Sequence, residues 1–166
     1  MSGITFKGQP VTLVGKRLQP GDSLPEFTLC DNSLEQVEQR EIEGASIFLT
    51  VPSLDTGVCD LEVKRFNQKT AELPGISIYV VSLDLPFAQK RWCGANGIEA
   101  VRTLSDYKER SFGRATGTLI EELALLTRAV FVTDGQKKVV YAQYVPEISD
   151  HPDYEAAYRA ARDCTE

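Results

Sequence analysis

Histidine occurs once, at position 151, and none of the four cysteines, Cys30, Cys59, Cys93 and Cys164, belongs to a C-x-x-C pair. The single histidine leaves little with which to complete a metal site or a Cys-His nucleophile pair. The wide cysteine spacing removes zinc-type ligation and the dithiol of a thiol-disulfide oxidoreductase. Neither a metal nor another cofactor is therefore expected. Basic runs of the kind that bind phosphate backbones are also missing, and the net charge of -6 comes from interspersed acids and bases. Nucleic acid is not an expected partner. No stretch reaches about 18 uninterrupted apolar residues. The start, Met1-Ser2-Gly3-Ile4-Thr5-Phe6-Lys7, has no apolar signal core. These absences predict a soluble, cytoplasmic chain with no membrane partner.

What is present is an ordinary globular composition over 166 residues, long enough to bury a core without metals or disulfides and read as one domain over residues 1–166. Residues 3–15 alternate apolar and polar around Lys7-Gly8-Gln9-Pro10, which predicts a small hairpin with Ile4, Phe6, Val11 and Leu13 inward. Leu24-Pro25-Glu26-Phe27-Thr28-Leu29 reads as a short extended segment whose proline suits a sheet edge. Val37 and Ile42 hint at one further short strand. Ile47-Phe48-Leu49-Thr50-Val51 and residues 76–83 read as buried strands, and the periodic segment between them as a helix to about Leu73, closed by Pro74-Gly75. Strand, helix, strand in this order predicts a parallel crossover, and ligands of such sheets bind beyond the strands' carboxyl ends.

A two- to three-turn helix is expected from Asp84-Leu85-Pro86, with Asp84 as cap and Gly94 as stop. Cys93 would then sit on its last, frayable turn. Further on, Arg102-Thr103-Leu104-Ser105 suggests a strand, residues 106–112 a short helix, and residues 113–122 an irregular loop. Residues 128–133 and 138–144 form an antiparallel hairpin about Asp134-Gly135-Gln136-Lys137, and residues 152–162 an alanine-rich final helix.

Chemistry is most concentrated in Pro52-Ser53-Leu54-Asp55-Thr56-Gly57-Val58-Cys59, where the buried strand meets the helix. Cys59, Val63, Phe66, Thr70 and Leu73 recur at alternating spacings of four and three, so they share one helix face. A thiol in the first turn faces free backbone N–H groups and the positive end of the helix dipole, which favour thiolate. Position alone leaves two readings of Cys59: an activated nucleophile, or a small apolar member of the inward stripe. Cys93 beside Trp92 reads alone as an idle or buried thiol, Arg128 as a surface ion-pair partner and Thr56 as a helix N-cap. Cys30, Cys164 and His151 receive no chemical role.

Pro52, Thr56 and Cys59 fit P-x-x-x-T/S-x-x-C, and in this the chain resembles the peroxiredoxins. Asp84-Leu85-Pro86-Phe87-Ala88-Gln89, Trp92-Cys93-Gly94-Ala95 and Arg128-Ala129-Val130-Phe131-Val132 resemble their atypical 2-Cys branch, the bacterial thiol peroxidases, in the same order along nearly the whole chain. The resemblance implies an α/β, thioredoxin-like fold with a central mixed sheet flanked by helices and an N-terminal β-hairpin extension. It implies Cys59 as peroxidatic and Cys93 as resolving cysteine, with Thr56, Arg128 and Pro52 as active-site partners. It further implies a hydroperoxide substrate, an intramolecular Cys59–Cys93 disulfide, recycling by thioredoxin or a similar dithiol reductant, and a homodimer. Cys30 and Cys164 stand outside that mechanism, and residues 117–123 depart from the branch's glycine-richer loop.

Two functions follow from the same cysteines. One is an enzyme reducing hydrogen peroxide and alkyl or lipid hydroperoxides; the other is a non-enzymatic peroxide sensor that relays a disulfide state to a partner protein. Because thiols on two helix ends cannot join unless their Cα atoms come within roughly 7 Å, both ends are expected to unwind on oxidation.

Overall fold

Short β-branched and aromatic runs form the strands, and the computed structural model describes residues 3–165. Met1, Ser2 and Glu166, the ends of the expected domain, lie outside the described residues. The predicted hairpin is β1 (Ile4–Phe6) with β2 (Gln9–Val11), paired antiparallel. Then come β3 (Leu13–Val14), β4 (Thr28–Cys30), β5 (Gln36–Glu38) and β6 (Ser46–Thr50). The middle of the chain holds α1 (Gly57–Lys69), β7 (Ser77–Ser82), α2 (Pro86–Asn96), β8 (Arg102–Ser105) and α3 (Ser111–Thr116). It closes with β9 (Leu119–Ile120), β10 (Leu125–Leu126), β11 (Ala129–Thr133), β12 (Val139–Tyr144) and α4 (Tyr154–Asp163).

Seven strands share one sheet in the order β12-β11-β6-β7-β8-β4-β5. β6, β7 and β8 are parallel and their other neighbours antiparallel, so the sheet is mixed and the expected crossover is in place. The central strands are apolar on both faces because both faces are covered. Ile47, Leu49, Ile78, Val80, Val130 and Val132 join a cluster with Val63 and Phe66 of α1, Trp92 of α2 and Tyr158 of α4. Phe48, Tyr79, Val81, Leu104 and Phe131 pack on the other side with Phe27 and with Phe112 of α3. The hairpin is attached through Ile4 and Val11, which bury against Ile120 and Ile148; Phe6 and Leu13, also expected inward, are half-buried.

Several boundaries differ from the sequence reading, each for a local reason. β4 is not an edge: β5 covers it, and Pro25 precedes the strand proper, in a stretch where Leu24 N–H donates to the Lys137 carbonyl at 2.8 Å. Val37 lies in β5, whereas Ile42 follows a 3-10 turn and is buried outside any strand. α2 is capped by Leu85 rather than Asp84. It runs through Gly94 to a left-handed Gly97 (φ 64°), whose N–H returns to the Cys93 carbonyl.

The short helix lies at residues 111–116, later than expected. The buried Asp106 carboxylate accepts N–H bonds from Phe112 (3.1 Å) and Gly113 (2.8 Å) and thereby caps α3 from outside, while Arg110 at φ 55° reverses the chain before it. Burial pushes the Asp106 carboxyl up to about 6, against the pull of those two bonds.

Gly15 joins the N-terminal strands to α3. Its φ is +92°, and a Cβ there would stand 2.1 Å from the Arg114 carbonyl oxygen. Gly15→Ala should cost about 2–3 kcal/mol, from positive φ and backbone overlap together. Denaturant unfolding should show a lower midpoint at unchanged slope; an unchanged midpoint contradicts the packing described.

Candidate active site

The β6 ladder continues to Val51, whose N–H donates to the Val81 carbonyl at 3.1 Å, and stops at Pro52, which has no N–H. Pro52 is buried there. The loop that follows is braced by Asp84 from the end of β7. Its carboxylate accepts Ser53 Oγ (2.7 Å), Leu54 N–H (2.9 Å) and Ser82 Oγ (2.9 Å). Asp84 therefore fixes the neighbouring loop instead of capping its own helix.

Thr56 has the extended backbone of an N-cap, and its carbonyl accepts the Asp60 N–H at 2.9 Å. Its hydroxyl does not cap α1; it donates to the Ser53 carbonyl at 3.2 Å from an exposed position. Cys59, the third residue of α1, is fully buried, so the inward-stripe reading is correct as to place.

Its surroundings are far from apolar. Arg128, directly before β11, is itself 1% exposed and donates through Nη2 to Cys59 Sγ at 3.2 Å. The same guanidinium gives Nη1 to Glu62 Oε1 at 2.6 Å and Nε to the Ile148 carbonyl at 2.8 Å. The surface ion pair that Arg128 alone suggested is thus a buried one. Burial works against the charge on Arg128, but the Glu62 carboxylate and the Cys59 sulfur outweigh it and hold the guanidinium protonated more firmly than usual. Burial pushes Glu62 up to about 7, with Arg128 pulling it down.

Glu62 was not singled out from the sequence. A signal existed: it stands three residues after Cys59 and four before Phe66, an acid on a helix stripe otherwise apolar, and buried acids need partners. The brace by Asp84 and the Ile148 carbonyl depend on tertiary placement, so spacing could not reveal them.

Cys93 lies apart from this group. It is half-buried on the last turn of α2, its sulfur 3.6 Å from Thr103 Oγ1, and burial pushes its thiol up. All four cysteines are free thiols. The two helices are nevertheless linked beside them, because Trp92 Nε1 donates to Asp60 Oδ1 at 3.2 Å. Among the described residues, the structure brings Cys59 and Arg128 into contact. It leaves Thr56 turned toward Ser53 and Cys93 bonded elsewhere. No group of three or more His, Cys, Asp or Glu among those residues could hold a metal ion, and no helix among them is long and apolar enough to cross a membrane.

The family profile described as Redoxin matches residues 19–158. The chain belongs to the redoxin family. A thiol peroxidase of Bacillus subtilis (strain 168) is 53% identical over 163 residues, covering 98% of each chain. A thiol peroxidase of Clostridium acetobutylicum is 53% identical over 159 residues, covering 96% of this chain and 97% of the relative. Among solved structures, the crystal structure of a peroxiredoxin-like protein from Aquifex aeolicus is similar, with a TM-score of 0.90, 39% identity and coverage of 97% of this chain and 96% of that one. Within the redoxins the kinship is with the thiol peroxidase enzymes of the peroxiredoxin group, and the mixed sheet is that of the thioredoxin-like fold.

Burial raises Glu62 and Asp106 in this redoxin fold, so each binds a proton more tightly here than in the unfolded chain. Their stabilisation is complete below the ordinary values, 4.5 for Glu62 and 3.8 for Asp106, and is lost as the pH rises through about 7 and about 6 respectively. The unfolding free energy should therefore fall between about pH 4 and about pH 7. In Glu62→Gln the part of that slope around neutrality should vanish while the more acidic part remains. Equilibrium denaturation across pH checks this, and an unaltered slope in the variant contradicts it.

Proposed function

We propose that the chain is a thiol-dependent peroxidase that reduces hydrogen peroxide and organic hydroperoxides, with Cys59 as the attacking sulfur. The observation that carries this reading is the 3.2 Å bond from Arg128 to Cys59 Sγ at the start of α1. Peroxide cleavage needs a thiolate, and charge grows on both peroxide oxygens as their bond breaks. A guanidinium fixed by Glu62 and Ile148 meets sulfur and oxygen with the same fork and needs no reorganisation during the reaction. Free N–H groups in the first turn of α1 add to it.

In the proposed cycle, Cys59 sulfur takes the terminal peroxide oxygen, the O–O bond breaks, and the remaining alkoxide or hydroxide leaves with a proton. The product is a sulfenic acid on Cys59. Thr56, once its hydroxyl leaves the Ser53 carbonyl, orients the peroxide, and Pro52 keeps water from the sulfur. Cys93 then attacks the sulfenic sulfur: the S–S bond forms, the S–O bond breaks, and water departs. A dithiol protein of the thioredoxin kind reduces the disulfide. The resolution step is expected to unwind the start of α1 and the last turn of α2. We further propose a cytoplasmic homodimer, with residues 1–166 as one domain.

Rapid mixing with peroxide and a dithiol donor tests this reading. The parent chain should turn over many equivalents, and Cys59→Ser should lose activity by about a thousandfold or more. Oxidation that stops after one equivalent despite excess donor would favour the sensor instead. With one equivalent of peroxide and no donor, non-reducing mass analysis should find Cys59 joined to Cys93 within one chain. The same sample should exchange amides faster over residues 85–96 and weigh two chains under native conditions. Full activity in Cys59→Ser would refute the assignment.

A further inference from the structure

Cys93 is held by a two-step chain of hydrogen bonds that nothing in the proposed cycle uses. Thr103 Oγ1, on β8, lies 3.6 Å from Cys93 Sγ and donates to Asn32 Oδ1, in the turn between β4 and β5, at 3.0 Å. A hydroxyl has one hydrogen, and an amide oxygen can only accept. Since the Thr103 hydrogen goes to Asn32, the contact with sulfur must run the other way, with Cys93 S–H donating to a Thr103 lone pair. While that hydrogen stays on Asn32, the contact is one that the thiol form makes. The turn bearing Asn32 is fixed in its own right: Asp31 Oδ1 accepts the Ser33 and Glu35 N–H groups, and Asp31 Oδ2 pairs with Arg102 at 3.2 Å. Cys93 and Thr103 together line a cavity of about 540 Å³ with Asn32, Ile78 and Ile98. The sulfur is thus held on the β8 side of α2, against a turn that has its own hydrogen bonds.

We propose that Thr103, supported by Asn32, is a positioning residue for the resolving step: it latches Cys93 as a thiol in the reduced fold and must release it before the sulfur can attack oxidised Cys59. The proposal rests on the reading of Cys93 as the resolving cysteine. In the step it gates, Cys59-SOH and Cys93-SH give the Cys59–Cys93 disulfide and water, the Cys93 proton leaving with the hydroxyl. The latch keeps Cys93 from leaving α2 while Cys59 is reduced, and it slows closure of the disulfide once Cys59 is oxidised. A slower closure leaves the sulfenic acid exposed to a second peroxide for longer, so Thr103 also sets how readily Cys59 passes to sulfinic acid.

Thr103→Val keeps the shape of the side chain and removes the acceptor. After one equivalent of hydrogen peroxide, with acid quenching and mass analysis, Cys59–Cys93 disulfide should form about threefold faster than in the parent chain, as the loss of one ordinary hydrogen bond allows. At excess peroxide, the sulfinic fraction per turnover should fall by a similar factor. Thr103→Ser, which restores the hydroxyl, should return both to parent values, a rescue that mere loosening of β8 would not produce. Unchanged or slower closure in Thr103→Val, or Thr103→Ser behaving like it, overturns the latch. If Thr103→Val does not fold, Thr103→Ala against Thr103→Ser makes the same comparison. If the parent chain itself forms no Cys59–Cys93 disulfide, the assignment of Cys93 fails first, and the latch with it.

Discussion

The guanidinium of Arg128 is bonded on three sides, to Cys59 sulfur, to the Glu62 carboxylate and to the Ile148 carbonyl, in a place with almost no solvent. Removing a single partner from a buried charge pair of this kind costs about 3–5 kcal/mol, because the charge left behind has no water to turn to. The three groups therefore constrain one another. Their demand fixes the pitch of α1 against the sheet, since Cys59 and Glu62 lie one turn apart on the same face and must meet one side chain. It also fixes the segment around Ile148, the same residue that buries against the N-terminal hairpin.

The sheet supplies the position and the loop supplies the restraint. Pro52 ends β6 at the carboxyl edge, where the chain enters α1, and Asp84 does the corresponding work at the end of the parallel neighbour β7 by gathering Ser53 and Leu54. The two strand ends are thereby tied across the edge, and Cys59, the proposed nucleophile, follows in the first turn of the helix that this braced loop enters. Cys93 is treated differently. Its helix ends at a left-handed Gly97 and is joined to α1 by Trp92 and Asp60, and its sulfur meets Thr103 in a neutral contact. In the proposed cycle both helix ends must open, and the weaker hold on Cys93 makes its end the readier of the two to move.

Much of this was legible from residues alone. Apolar runs located the central strands, the four-three spacing located α1, and the resemblance to peroxiredoxins carried the five candidate residues. Some features depend on what meets across the fold. Glu62 could have been flagged as an acid on an apolar stripe, but its partner lies 66 positions away. Asp84 has the side chain of a helix cap and is drawn to a loop instead. α3 was displaced because Asp106 caps it across several residues, an arrangement that local spacing does not encode. Thr56 sits where its motif required, yet its hydroxyl faces Ser53.

The central claim is that Arg128 makes Cys59 a peroxide nucleophile, and oxidation of Arg128→Met by hydrogen peroxide tests it most directly. The step can be followed through Trp92, the only tryptophan, alongside Arg128→Lys, which keeps the charge and loses the fork. With both variants shown to be folded by thermal melts, the account predicts a second-order rate for Arg128→Met lower by about 10²–10³, with Arg128→Lys between it and the parent. A folded Arg128→Met that reacts at the parent rate would contradict it.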